Sequence, residues 1–187
     1  MFTSFYQSQY GPMRLRGTRS GVISLELLKD TEREIASAKS TDHAHTAPLK
    51  KVRRFLDSYF AGCPVKIPLK WLVPQPLKTF DTLVLRKLQT LPFGELTTYS
   101  KLAVRCGSPR AARAVGNALA KNRLPVLIPC HRVIRSDSKI GGFRAGARWK
   151  EKLLRHEGHI VEKKKCRQQS GQPLTDPGQI KRHILKM

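Results

Sequence analysis

Alternation and helical periodicity divide this chain into segments. The stretch GVISLEL, residues 21 to 27, alternates apolar with small or polar side chains, the texture of a half-buried strand. A small sheet is predicted to begin there, because residues 1 to about 20 are polar and basic with scattered glycines. In HTAPLKKVRRFLDSYFAG, Pro48 stands at a helix start, Leu49, Val52, Leu56, Tyr59 and Phe60 fall on one stripe, and Gly62 marks the stop. That helix packs its stripe on the sheet. The next run, PVKIPLKWLVPQP, carries four prolines and reads as a linker between two lobes, with the boundary near Pro76.

Beyond the linker the helical period dominates. Thr79 is placed to cap a helix whose Phe80, Val84, Leu88 and Leu91 share a face before Pro92 ends it. TTYSKLAVRCGSPRAARAVGNALAKN then predicts a short helix, a turn at Gly107, and a second helix from Pro109 to about Lys121, the grammar of a helix-turn-helix. Ala111, Ala112, Val115, Ala118 and Leu119 gather on its inner side, leaving Arg110, Arg113, Ala114, Asn117, Ala120 and Lys121 outside. A last helix runs from Ala147 to about Glu157 and closes at Gly158, with Trp149, Leu153 and Glu157 on one face. The fold class is α+β: a small N-terminal lobe with an antiparallel sheet over residues 1–75, then a mostly helical lobe over residues 76–158. Residues 159–187 read as a basic tail, disordered until it meets a polyanion.

Charge narrows the partners. The 187 residues hold 36 Lys plus Arg against 13 Asp plus Glu, a formal charge of +23. A polyanion is expected, and no apolar stretch approaches the ~20 residues that span a bilayer, so nucleic acid is favoured over membrane. The small outer face of the second helix would let a phosphate backbone come close while Arg110, Arg113 and Lys121 supply charge. The N-terminus lacks the apolar core of a secretory signal, which places the protein in the cytoplasm, or in the nucleus of a eukaryote, where EKKKCR could serve as an address. In such a reducing compartment the four cysteines, Cys63, Cys106, Cys130 and Cys166, are expected as thiols. Zinc is not expected, since His43, His45 and Cys63 are too loosely spaced.

One cysteine stands apart. VLIPCHRVIR puts Cys130 between Pro129 and His131, after an apolar run that reads as a buried strand. A neighbouring imidazole can create a thiolate by taking its proton, and a carboxylate can orient that imidazole. Cys130, His131 and Glu157 can fill those roles. Adjacent residues on a strand point to opposite faces, so a direct bond from Cys130 to His131 needs a turn; a bridging water is the preferred reading. Cys and His also suggest a thiol protease, but nothing else in this basic chain resembles a peptide cleft.

PCHRV, with GELTTYSKLA and RAARAVGNALAKNRLPVLI before it and GGFRAGARWKEKLLRHEG after it, resembles the O6-alkylguanine-DNA alkyltransferases, also called methylated-DNA-protein-cysteine methyltransferases. The resemblance runs from about Phe80 to Gly158, and LDSYFAGCPVKIPL is similar to the end of that family's first domain. It implies a repair protein that acts on double-stranded DNA containing alkylated bases, as a monomer. A base alkylated at O6 of guanine, or at O4 of thymine, is rotated out of the duplex into a pocket. Cys130 takes the alkyl group irreversibly as a thioether, and neither metal nor organic cofactor is called for.

The same resemblance assigns roles residue by residue. Arg113 fills the gap left by the flipped base and Ala114 matches a small outward residue of the family's recognition helix, while Arg110, Asn117 and Lys121 are expected along the DNA from their place on the outer side alone. Tyr99 crowds the target phosphate and bonds the purine. His131 takes the thiol proton through water, Glu157 supports it, and Asn122 braces the active-site turn. Val133, Phe143 and Arg144 contribute to the substrate pocket, with main-chain groups at Cys130, Val133 and Arg144 on the guanine edges. Phe143 replaces a tyrosine common in the family, Arg144 and Ala145 alter the pocket rim, and Asp81 and Leu85 replace a glutamine and a tryptophan. Two rivals carry less: a non-enzymatic alkyltransferase-like damage sensor would lack Cys130, and a transcriptional switch would need a further domain.

Overall fold

The first 27 residues form a three-stranded antiparallel meander, β1 (Phe2–Ser8), β2 (Gly11–Thr18) and β3 (Gly21–Leu27). The sheet therefore begins at Phe2, earlier than the alternation of GVISLEL suggested. Its inward positions explain the miss: Ser4, Tyr6 and Ser8 face in from β1 and Met13, Leu15 and Gly17 from β2, so half of them are polar or small. Gly17 is required there, because a Cβ would come within 2.5 Å of the Gly21 carbonyl oxygen and 2.6 Å of the Phe2 ring. The computed structural model describes residues 1–29, 46–63 and 67–168; His43, His45, residues 64–66 of the proline-rich run and the chain beyond 168 lie outside the described residues.

Helix α1 (Ala47–Phe60) has proline in its first turn and buries Leu49, Val52, Phe55, Leu56, Tyr59 and Phe60 beside β3. The end of the proline-rich run does more than link. It forms a single 3-10 turn at Leu69–Trp71 and then joins the sheet edge, where Val73 N donates to Val22 O at 2.9 Å.

Helix α2 (Thr79–Gln89) buries Asp81, Val84, Leu85 and Leu88. Thr79 is its first helical residue rather than its cap; Lys78 holds the cap position and contributes no side-chain bond. A two-residue parallel pair, β4 (Thr97–Thr98) with β5 (Val133–Ile134), brackets the next two helices. Helix α3 (Tyr99–Arg105) is capped by Thr98, whose hydroxyl accepts from Lys101 N at 3.1 Å. Gly107, at φ 72, turns the chain, but α4 (Ala112–Ala120) starts later than Pro109. Ser108 to Ala111 make a separate turn, closed by Ala111 N donating to Ser108 O at 2.9 Å, and Arg110 sits in that turn instead of on the helix. Helix α4 packs against α2 and α3 through Val115, Ala118 and Leu119.

Helix α5 (Ala147–His156) buries Trp149, Lys150, Leu153 and Leu154, and Glu157 occupies the position after its end. The chain then turns at Gly158 into a hairpin, β6 (Ile160–Glu162) and β7 (Lys165–Arg167), where a disordered tail was expected. Only two of its side chains face inward, Val161 and Cys166, which pack with Ile134, Ile140 and Leu154 in a small satellite core. So sparse an apolar pattern falls below what periodicity detects.

The main core runs unbroken from Tyr6 and Met13 in the sheet to Leu153 in α5. Tyr10, Tyr59, Phe60, Phe93 and His156 pack at the junction with their rings tilted or edge-on, and His156 Nε2 lies 2.7 Å from the Tyr59 carbonyl oxygen. Trp149 Nε1 donates to Leu28 O at 2.8 Å, tying α5 to the end of β3. Replacing Trp149 with Phe should lower stability by about 1–3 kcal/mol, since it strands that buried carbonyl and trims the packing. Urea unfolding should show a lower midpoint with an unchanged slope.

Candidate active site

Cys130 sits in a turn rather than at the end of a strand. Residues Cys130–Arg132 make one turn of 3-10 helix, and the apolar run before it is irregular, with Val126 held at φ 71. A β-branched residue resists that conformation, so the surroundings must impose it. Pro125 and Pro129 lack the N–H groups that a strand ladder needs, and Asn122 replaces the ladder. Its Nδ2 donates to Ile128 O at 3.0 Å while its Oδ1 accepts from Leu124 N at 3.0 Å. The same Nδ2 lies 3.1 Å from Cys130 Sγ.

The thiol is 8% exposed. Burial raises its pKa above the ordinary cysteine value, opposed by the Asn122 donor and by the charge of Lys150. Cys130 therefore keeps its proton at neutral pH until a base removes it.

That base has its partners in place. Glu157 accepts five hydrogen bonds: Oε1 from His131 Nε2 at 2.7 Å, Tyr59 Oη at 2.8 Å and Arg132 Nη2 at 2.9 Å, and Oε2 from Arg132 Nε at 2.8 Å and Gly94 N at 3.2 Å. Burial alone would push this carboxyl up, but His131 and Arg132 hold it far below the usual carboxylate range. An ionised carboxylate can only accept, so Nε2 of His131 carries the hydrogen and Nδ1 keeps its lone pair. Burial lowers the His131 pKa, which leaves the ring neutral, and Nδ1 is buried without a hydrogen-bond partner. Among the described residues it is an unpartnered proton acceptor in the same 3-10 turn as the protonated thiol.

Three contributors escaped the sequence reading: Tyr59, Arg132 as the bidentate partner of Glu157, and Lys150. Tyr59 lies on the N-terminal stripe, where its ring looked like ordinary core. Lys150 is fully buried, with Nζ donating to Val133 O at 2.7 Å and Gly142 O at 3.4 Å, and burial lowers its pKa to about 8 against the pull of the Cys130 and Cys166 thiols. Lys150 falls between Leu153 and Leu154 on the buried face of α5, so the helical period places it inward; what hid it is its charge, which usually marks a solvated position.

A cleft of about 1300 Å³ opens above Cys130. Tyr99, Arg113, Gly116, Asn117, Phe143 and Arg144 all line it. Tyr99 is held between Gly116 and Gly141, where an added Cβ would lie 3.8 Å from its ring and 2.9 Å from its hydroxyl respectively. Burial raises the Tyr99 pKa, helped by Cys130, so the phenol stays a proton donor. Arg113, Ala114 and Asn117 are exposed on the outer face of α4. Lys121 is drawn off that face by Asp81, at 2.6 Å. Val133 is fully buried, and of its two main-chain groups the carbonyl already receives Lys150.

Fold and site together describe a helix-turn-helix poised over a buried thiol. Residues 79–159 match the family model for the DNA binding domain of 6-O-methylguanine DNA methyltransferase, and residues 1–70 match that for its ribonuclease-like domain. A methylated-DNA–protein-cysteine methyltransferase of Methanosarcina barkeri is 37% identical, covering 84% of this chain and 97% of that protein. The enzyme of the same name from Homo sapiens is 36% identical over 83% of this chain and 80% of its own length. The O6-methylguanine methyltransferase of Mycobacterium tuberculosis superposes with a TM-score of 0.69 at 30% identity, over 83% of this chain and 92% of that one, and the same protein has been solved in complex with DNA. This chain belongs to the 6-O-methylguanine DNA methyltransferase family. It is a DNA-binding methyltransferase of DNA repair.

The hydrogen bond from Asn122 fixes a sign that can be measured. Removing it in Asn122→Ala takes a donor from the thiolate, so the Cys130 pKa moves further up and the thiolate fraction falls. Alkylation of Cys130 by iodoacetamide, followed by peptide mass, should rise with pH in both proteins. At pH 7 it should be about tenfold slower in the variant, a hydrogen bond to a charged group being worth about 1.5–3 kcal/mol. Equal rates at every pH would contradict the assignment.

Proposed function

We propose that this protein rotates O6-alkylguanine, and also O4-alkylthymine, out of double-stranded DNA and moves the alkyl group irreversibly onto Cys130, acting once as a monomer. One observation carries the reading: a protonated thiol at the floor of a cleft beneath α4, with the unpartnered Nδ1 of a neutral His131 close by in the same turn. Arg113 and Asn117 lie at the mouth of that cleft, where a base leaving the duplex would enter. A cytoplasmic or nuclear protein would meet such DNA; among the described residues no helix is long and apolar enough to cross a membrane.

The chemistry follows from the proton inventory. His131 Nδ1 takes the proton of Cys130 through a water, and Glu157, already ionised and fivefold bonded, stabilises the imidazolium without itself moving. The Cys130 sulfur then attacks the alkyl carbon from behind the bond to O6. The new S–C bond forms as the C–O6 bond breaks, and the electron pair of the broken bond stays on the purine. Tyr99, with its raised pKa, supplies a proton to the leaving guanine. A thioether and an unmodified guanine result, with no oxidant or reductant consumed. The thioether is stable, so each molecule acts once.

Arg113 is exposed on α4 above the cleft, which suits it to fill the stack after the base has left. The alternative of a sensor that binds lesions without repairing them loses its basis where the nucleophile is present.

Intact-mass measurement after incubation with duplex containing O6-methylguanine should show one added methyl group per protein, located at Cys130. An unchanged mass with DNA bound would instead mark a sensor. Cys130→Ala should still bind the duplex and transfer nothing. Arg113→Ala should slow repair in duplex by at least about tenfold, while reaction with free O6-benzylguanine stays near the unaltered rate. Equal losses on both substrates would remove Arg113 from the base-opening role.

A further inference from the structure

The cleft rim does not end at Arg135 and Ser136, which line it. The turn they begin folds back through Arg135 N donating to Lys139 O at 2.9 Å, and its far side is hydrogen-bonded to the C-terminal hairpin. Ile140 N donates to Lys164 O at 2.9 Å and Cys166 N to Ser138 O at 2.8 Å, with a further bridge between Lys139 and Lys165. Rim and hairpin are therefore one hydrogen-bonded unit, anchored underneath by Val161 and Cys166 in their satellite core.

The outer side of this unit is basic. Arg135, Lys139, Lys163, Lys164, Lys165 and Arg167 are all exposed, set against two acids, Asp137 and Glu162. Asp137 lies 3.3 Å from both Arg135 and Lys139, so the charge in excess belongs mainly to the hairpin. Ile160, Glu162, Lys163, Lys165 and Arg167 surround a shallow concavity of about 230 Å³ there.

The hairpin turn adds an independent sign. Glu162 pairs with Lys165, which leaves Lys163 and Lys164 as a two-residue turn, and both carry positive φ, 44° and 63°. Turns of this kind favour Asn-Gly, because those residues adopt positive φ with least strain. Two lysines therefore occupy positions where backbone preference selects against them, and strain retained in this way points to use.

We propose that the β6–β7 hairpin extends the DNA-binding surface beyond the helix-turn-helix, with Lys163, Lys164, Lys165 and Arg167 receiving the phosphate backbone of the duplex flanking the lesion. This rests on the reading that the cleft takes its base from a duplex. The occupant is chosen by continuity and by chemistry. The hairpin is joined to the rim of the DNA cleft, and lysine ammoniums on a rigid loop match phosphates as point charges without reading base edges. A rigid hairpin also loses little conformational freedom on contact.

The turn supplies a variant that separates charge from folding. In the full chain, Lys163→Asn with Lys164→Gly removes two cations and installs the favoured turn residues, so the melting temperature should stay equal or rise. Binding to a long duplex with a central O6-methylguanine should weaken threefold to tenfold at low salt. The slope of log affinity against log salt should fall by about 1–2, each phosphate contact contributing about 0.9. A duplex trimmed to the base pairs around the lesion should bind both proteins alike. Lys165→Thr with Arg167→Thr, which keeps strand-forming residues on the outward face, should give the same pattern. Unchanged affinity and slope on the long duplex, in folded variants of both kinds, would overturn the proposal and leave the hairpin to some other acidic partner. If the unaltered protein itself bound duplex without salt dependence, the DNA reading of the cleft would fall first, a distinct result.

Discussion

A single buried carboxylate organises this molecule. Taking the charge of Glu157 out of water is costly, and the cost is met only because five donors converge on its two oxygens from three other segments of the chain. Tyr59 comes from α1, Gly94 from the loop after α2, His131 and Arg132 from the active-site turn, and Glu157 itself closes α5. Each segment is thereby located relative to the others to within a hydrogen bond. Losing one donor would leave the charge partly unpaired, so the arrangement tolerates little drift.

That constraint explains why the two lobes behave as one core. From α1, the Tyr59 hydroxyl reaches the carboxylate, and its ring meets Phe60 and Phe93 edge-on and His156 at a tilt. Leu25 N donating to Arg123 O at 2.8 Å and the Trp149–Leu28 bond fasten the sheet to the catalytic lobe on the other side. The first lobe thus sets the position of the imidazole from a distance. It acts on the site as a positioning frame.

How much of this could be read from the sequence depends on which forces decide each element. Helices α1, α2 and α5 announced themselves because one face of each is apolar at helical spacing, and the family motifs around Cys130 and Glu157 are dense enough to name their partners. Strands β1 and β2 did not, since Ser4, Ser8 and Gly17 occupy inward positions. The run before Cys130 looked like a strand because Val126, Leu127 and Ile128 are strand formers; two prolines and the Asn122 side chain override that preference. Helical period does place Tyr59 and Lys150 on buried faces, but it does not say what their polar ends touch. Their roles come from what they touch across 17 and 98 residues of sequence, and such long-range pairings leave no local trace.

The same separation has a temporal side. On a chain leaving the ribosome, Asn122 is made eight residues before the sulfur it braces. The carboxylate that bonds the imidazole lies 26 residues beyond His131, at the position that closes α5. Until that helix has been made and has docked on the sheet, Cys130 has a turn but no oriented base. If Cys130 reacts once, as proposed above, the order of synthesis delays the orientation of its base until Glu157 has been made.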